Sequence, residues 1–116
     1  MGLEFIHNNA ILHRDLRPSN IFFDEKGYAK IGDFGMSRIW RKMNSSDTSG
    51  TPGYMAPEVL LHEPQGTGVD YFALGVITHE LMMGKRPWAG DDRETYKENL
   101  LNTQVILKKN DTKENW

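Results

Sequence analysis

The residues best suited to chemistry sit near the start of the chain. In HRDLRPSN, residues 13–20, the carboxylate of Asp15 stands five positions before the carboxamide of Asn20, and a second carboxylate, Asp33, opens the triplet Asp33, Phe34, Gly35. Magnesium uses few protein oxygens and completes its octahedron with phosphate and water, so one Asp and one Asn suffice to hold it against a nucleotide. Asn20 with one aspartate would supply that oxygen pair, and Asp15 would then be free to orient an attacking hydroxyl. Two hard oxygen ligands and a base fit one phosphate-transfer site.

Short elements must position these groups. Residues 1–9 place Leu3, Phe5 and Ile6 on one side of a short helical pattern that stops at Asn8 and Asn9. Ile11 and Leu12 read as a brief strand, 21–23 as another and 28–31 as a third, with Asp24, Glu25, Lys26 and Gly27 as the turn between the last two. Pro18 fixes its own backbone and lacks an amide donor, which argues against a helix inside 13–20. Gly32 and Gly35 bracket Asp33 and Phe34 and permit unusual backbone angles there. The run from Met36 to Met55 is polar and reads as a loop. From about 69 to 83 the chain is apolar on nearly every side, the pattern of a helix inside a domain, with Asp70 in its first turn and Gly84 as its stop. Lys85 to Trp88 read as a turn, and about 91–102 as an amphipathic helix with Tyr96, Leu100 and Leu101 on its apolar side.

Composition narrows the function classes. The 116 residues, 38% hydrophobic and 26% charged, suit one ordinary globular domain. A formal charge of −2 gives no basic field for nucleic acid or acidic membranes, and Arg38, Arg41 and Lys42 form either a solvated loop or a clamp for an acidic group. There is no cysteine for a disulfide framework and no signal-peptide pattern, so a cytoplasmic or nuclear setting is expected. The longest apolar tract is interrupted by Thr78, His79 and Glu80, short of the roughly 20 residues needed to cross a bilayer. His7, His62 and His79 share no metal-ligand spacing, and the tryptophans read as packing residues.

His13, Arg14, Asp15, Leu16 and Asn20, then Asp33, Phe34, Gly35, then Ala56, Pro57, Glu58 occur in an order that resembles the protein kinases. The resemblance implies an α+β, partial kinase-like fold: a mainly helical C-terminal lobe with a small β-hairpin at the site, spanning residues 1–116, with the N-terminal lobe absent. It makes 13–20 the catalytic loop, 33–35 the metal triplet and 33–58 the activation segment. It implies ATP, magnesium and a protein substrate, with Asp15 orienting the acceptor hydroxyl and Asn20 and Asp33 holding the metal. Phe22 resembles the floor beneath adenine, with an ordinary strand core residue as the alternative. Arg17 stands where serine/threonine kinases usually carry lysine. It keeps a positive charge beside the phosphoryl group, and Pro18 and Ser19 follow the serine/threonine pattern.

The resemblance assigns further roles. His13 packs under Phe34 and steadies the loop, Arg14 clamps an acidic group on the activation segment, and Asp70 bonds the catalytic-loop backbone. Asp47 aligns with the residue many relatives phosphorylate, so a charge is partly built in, with Thr48 and Ser46 as neighbouring acceptors. Thr51, Gly53 and Tyr54 belong to the substrate-docking segment: Thr51 bonds the catalytic loop, and Gly53 replaces a glutamate common in relatives. Glu58 matches a residue whose arginine partner lies far downstream, beyond these 116 residues. A glycine-rich phosphate cover, a strand lysine and its helix glutamate are also missing from the 116 residues, so the fragment alone is expected to be almost inactive, and its central helix to leave apolar surface uncovered on the side where later helices belong. The competing readings are a non-catalytic kinase-like binding module and a truncated gene product.

Overall fold

The computed structural model describes residues 2–39 and 48–107. Helix α1 (Gly2–Asn8) ends where Asn9 turns its side-chain amide back onto the Phe5 carbonyl at 2.8 Å and Ala10 takes a positive φ of 57°. The chain then enters β1 (Ile11–Leu12), which pairs antiparallel with β4 (Arg38–Ile39), Ile11 opposite Ile39 and Leu12 opposite Arg38. The polar run after Gly35 hides this second strand, because a two-residue pairing is too short to show alternation.

Strands β2 (Ile21–Phe23) and β3 (Ala29–Ile31) form the expected hairpin, with Ile21 opposite Ile31 and Phe23 opposite Ala29. Asp24 builds its turn: its Oδ1 accepts the amides of Lys26 and Tyr28, both at 2.9 Å, and Gly27 supplies the left-handed residue at φ 83°. That second bond holds Tyr28 in the turn, so β3 starts one residue later than its sequence suggests. The expectation that Pro18 forbids helix also needs correction. Pro18–Asn20 is a single 3-10 turn with the proline at its start, where its missing N–H has no partner to lose.

Helix α2 (Pro57–Leu60) is a one-turn helix too short for periodicity to reveal. Helix α3 (Gly68–Met83) stops at Gly84, whose φ of 76° lets its N–H return to the Glu80 carbonyl at 2.9 Å. Helix α4 (Arg93–Asn102) starts later than about 91 because Asp92 is its cap, with Oδ1 accepting the Thr95 amide at 2.8 Å. One core joins Leu12, Met55, Ala56, Val59, Leu60, Val69 and Tyr96. Tyr96 is fully buried and spends its hydroxyl on the Met55 carbonyl at 2.7 Å, while Trp88 stacks on Phe72. A second cluster, Leu16, Ala73 and Ile77, lies under the hairpin residues Ile21 and Ile31.

Helix α3 therefore touches both clusters, but on one face. Val69, Asp70, Ala73, Val76 and Ile77 are buried, whereas Tyr71, Leu74 and Leu81 are exposed, so among the described residues the helix is not enclosed as its all-round apolar sequence suggested. The α+β class holds, and no described helix is long and apolar enough to cross a membrane.

Candidate active site

The site is built on one buried carboxylate. Asp70, in the first turn of α3 and fully buried, accepts the backbone amides of His13 at 2.9 Å and Arg14 at 2.8 Å, one on each oxygen. His7 from α1 places Nε2 2.8 Å from the same carboxylate. Two successive amides can face one acceptor because Arg14 takes a left-handed φ of 73°, a conformation that a non-glycine residue adopts at a cost. Each bond to an ionised acceptor contributes on the order of 1.5–3 kcal/mol, enough to offset that strain.

His13 is fully buried and both ring nitrogens are spent. Nδ1 accepts the Asp15 amide at 3.2 Å and Nε2 donates to the Gly32 carbonyl at 2.8 Å, while the ring edge meets Phe34 with centroids 5.0 Å apart. With no nitrogen left over, His13 holds the loop and moves no proton.

Asp15 is joined to Asn20 directly. Asn20 is buried, and its amide nitrogen donates to the Asp15 carbonyl at 2.7 Å and reaches Asp15 Oδ2 at 3.4 Å. Those bonds commit the nitrogen and leave the carboxamide oxygen as the atom for a cation. The other Asp15 oxygen, Oδ1, accepts the Thr51 hydroxyl at 2.5 Å, and Arg17 Nε lies 3.8 Å from Oδ2.

Asp33 joins this pair through the backbone. Gly32, immediately before it, donates to the Asn20 carbonyl at 2.9 Å and accepts from His13, so one residue is fastened to both ends of the 13–20 loop. A side chain at Gly32 would press into the Phe22 ring, which would have to shift to admit it. Asp33 itself is exposed, with φ 51° and Oδ1 accepting the Gly35 amide at 3.3 Å. Phe22 is 53% exposed on the hairpin. The described residues contain no cluster of three or more His, Cys, Asp or Glu side chains able to cage an ion, so a metal here would need phosphate or water to complete its shell.

The segment that follows is held from below. Gly50 packs against the Arg14 carbonyl, and Glu58 lies beside Gly68 at the start of α3. The Tyr54 hydroxyl donates to Glu80 at 2.5 Å; burial, then that carboxylate, pushes the phenol up to about 12. Asp47 lies outside the described residues, so its pairing with the buried Arg14 is not part of this geometry.

The family model for the protein kinase domain matches residues 1–116. The chain belongs to the protein kinase family. It is 35% identical to a protein kinase C of Drosophila melanogaster over 108 residues, covering 91% of this chain and 15% of that protein. A serine/threonine-protein kinase of Danio rerio is 38% identical over 107 residues, 90% of this chain and 11% of its own length. A probable serine/threonine-protein kinase of Dictyostelium discoideum is 40% identical over 117 residues, 97% of this chain and 23% of its own length. The chain thus spans less than a quarter of each of these kinases.

Two arginines to which the sequence reading gave no site role border residues 48–54 of this kinase chain. Arg93, at the start of α4, donates from Nη1 to the Thr48 hydroxyl at 2.7 Å and from Nη2 to the Thr48 carbonyl at 2.5 Å. Arg86, read only as part of a turn, donates to the Pro52 carbonyl at 3.2 Å and lies over the Tyr54 ring, 5.6 Å from its centroid. The one signal available was Gly53, whose missing side chain leaves the room that Arg86 fills.

Proposed function

We propose that this chain is the catalytic half of an ATP- and magnesium-dependent serine/threonine protein kinase, which transfers the terminal phosphoryl group to a protein hydroxyl. The observation that carries the reading is the joining of Asp15 to Asn20 by side chain and of Asp33 to both ends of the same loop through Gly32. In this reading Asn20 Oδ1 and the Asp33 carboxylate hold magnesium. The bound ion would supply charge neutralisation on the phosphates. Asp15 orients the acceptor hydroxyl and receives its proton, and Arg17 offsets phosphate charge beside it. Thr51, bonded to Asp15 Oδ1, sets the carboxylate's direction before a substrate arrives. Phe22, exposed on the hairpin edge, is the apolar surface offered to the adenine ring.

The 116 residues contain no GxGxxG cover and no strand lysine ahead of Asp15, and phosphoryl transfer depends on positioning and charge from all these parts. The isolated chain is therefore expected to bind magnesium nucleotide weakly and to transfer little. The test is thermal unfolding with and without magnesium ATP. Unfolding shifts upward by a few degrees at millimolar nucleotide for the native chain, and the Asp33→Asn chain shows no shift. A native chain that melts identically with and without magnesium ATP would contradict the reading and favour a purely binding, kinase-like module.

A further inference from the structure

We propose that Arg86 is a specificity-determining residue that selects an acidic side chain close to the phosphoacceptor in a peptide substrate; this rests on the kinase reading above and names the substrate class of the same site. The position is created by a missing side chain. Gly53 has φ 99°, and a Cβ built on it would overlap the Arg86 guanidinium, so any other residue would expel the arginine. Glycine there does more than omit a carboxylate, because its place is taken by a cation.

Arg86 is held in that place on two sides and answered by a carboxylate on a third. Nη1 bonds the Pro52 carbonyl, the plane lies over Tyr54, and Nη2 meets Asp91 Oδ1 at 3.2 Å. The Asp91 side chain is fully exposed, whereas that of Arg86 is 23% exposed. An ion pair with one fully solvated partner contributes little, so Asp91 is a replaceable occupant that marks where an incoming carboxylate would sit.

Two further guanidinium groups border this segment: Arg17 lies 3.8 Å from Asp15, whose other oxygen holds Thr51, and Arg93 bonds Thr48. Three nearby carboxylates accept other donors: Glu80 the Tyr54 hydroxyl, Asp15 that of Thr51, and Asp92 the Thr95 amide. Asp91 instead pairs with Arg86, and it is the group a substrate would displace. Thr51, two residues from Gly53, touches the proposed acceptor-orienting carboxylate, so the selected side chain lies within a few residues of the phosphorylated one.

The test is fluorescence anisotropy of two labelled serine peptides, identical except for aspartate or lysine on both sides of the serine, titrated with the 116-residue chain at low salt without nucleotide. The aspartate peptide binds about fivefold or more tightly than the lysine peptide. Asp91→Asn widens that ratio by removing the internal competitor, Arg86→Ala collapses it, and Arg86→Lys keeps part of it because the charge remains without the planar fork. Near-ultraviolet dichroism checks that each variant is folded. Equal binding of the two peptides, preference for lysine, no binding of either, or an unchanged ratio in Asp91→Asn each overturns the proposal. Because the assay contains no nucleotide, its result is independent of the magnesium ATP test of the kinase reading.

Discussion

At the scale of single residues, Asp70 organises the site without touching a reacting atom. Its two oxygens each accept one backbone amide, from His13 and Arg14, in a place without solvent. Asparagine at 70 would turn an N–H toward one of those amides and leave it unpaired, a loss on the order of 1–3 kcal/mol. Urea unfolding of Asp70→Asn is expected to show that loss, and an unchanged midpoint would mean that the loop is held by something else. The sequence showed that Asp70 suits a helix start, but its contacts with residues more than fifty positions away are a tertiary fact. The kinase resemblance supplied that link. Thr51 and Asp15 follow the same pattern: thirty-six positions apart and joined at 2.5 Å, they are related by no local rule.

At the scale of elements, legibility followed length and punctuation. Helix α3 was readable because sixteen residues carry a strong apolar run and Gly84 marks the end. The β2–β3 hairpin was readable from its Asp24 to Gly27 turn. Strand β4 and helix α2, two and four residues long, fall below any periodic signal. Helix α4 is strongly polar and depends on its cap. The Thr95 backbone amide, then the Thr95 hydroxyl, hold the Asp92 carboxyl below its ordinary value. A carboxyl whose folded pKa is depressed contributes stability that is complete above its unfolded value and lost as pH falls through the folded one. Native and Asp92→Ala chains should therefore differ in melting temperature at neutral pH and converge in acid below the ordinary carboxylate range. A difference that persisted unchanged into strong acid would remove the cap from the account.

At the scale of the molecule, the dimensions are 42 × 41 × 20 Å with a radius of gyration of 14.8 Å, against about 13 Å for a compact domain of this length. A slab this thin cannot bury both faces of α3, which is why its apolar sequence overstated its enclosure. A cleft of about 740 Å³ opens on the uncovered side, lined by Leu3, Phe5, Ile31, Phe34, Leu74 and Ile77. The sequence reading placed the uncovered surface of this helix where later helices belong, whereas this cleft lies against α1 and the β2–β3 hairpin. The place of Arg86 was not legible, since it lies thirty-three positions from Gly53 and only the folded chain brings its guanidinium to the empty glycine.

The central claim is that Asn20 and Asp33, held to one loop by Gly32, share a single divalent ion beside Asp15. Manganese, a paramagnetic stand-in for magnesium, tests it most directly when titrated with ATP into the isotope-labelled chain. The account predicts selective broadening of the amide signals of Asp15, Asn20, Asp33 and Gly35, with those of α4 unaffected and the whole effect lost in Asp33→Asn. Broadening centred elsewhere, or the same broadening in Asp33→Asn, would contradict it.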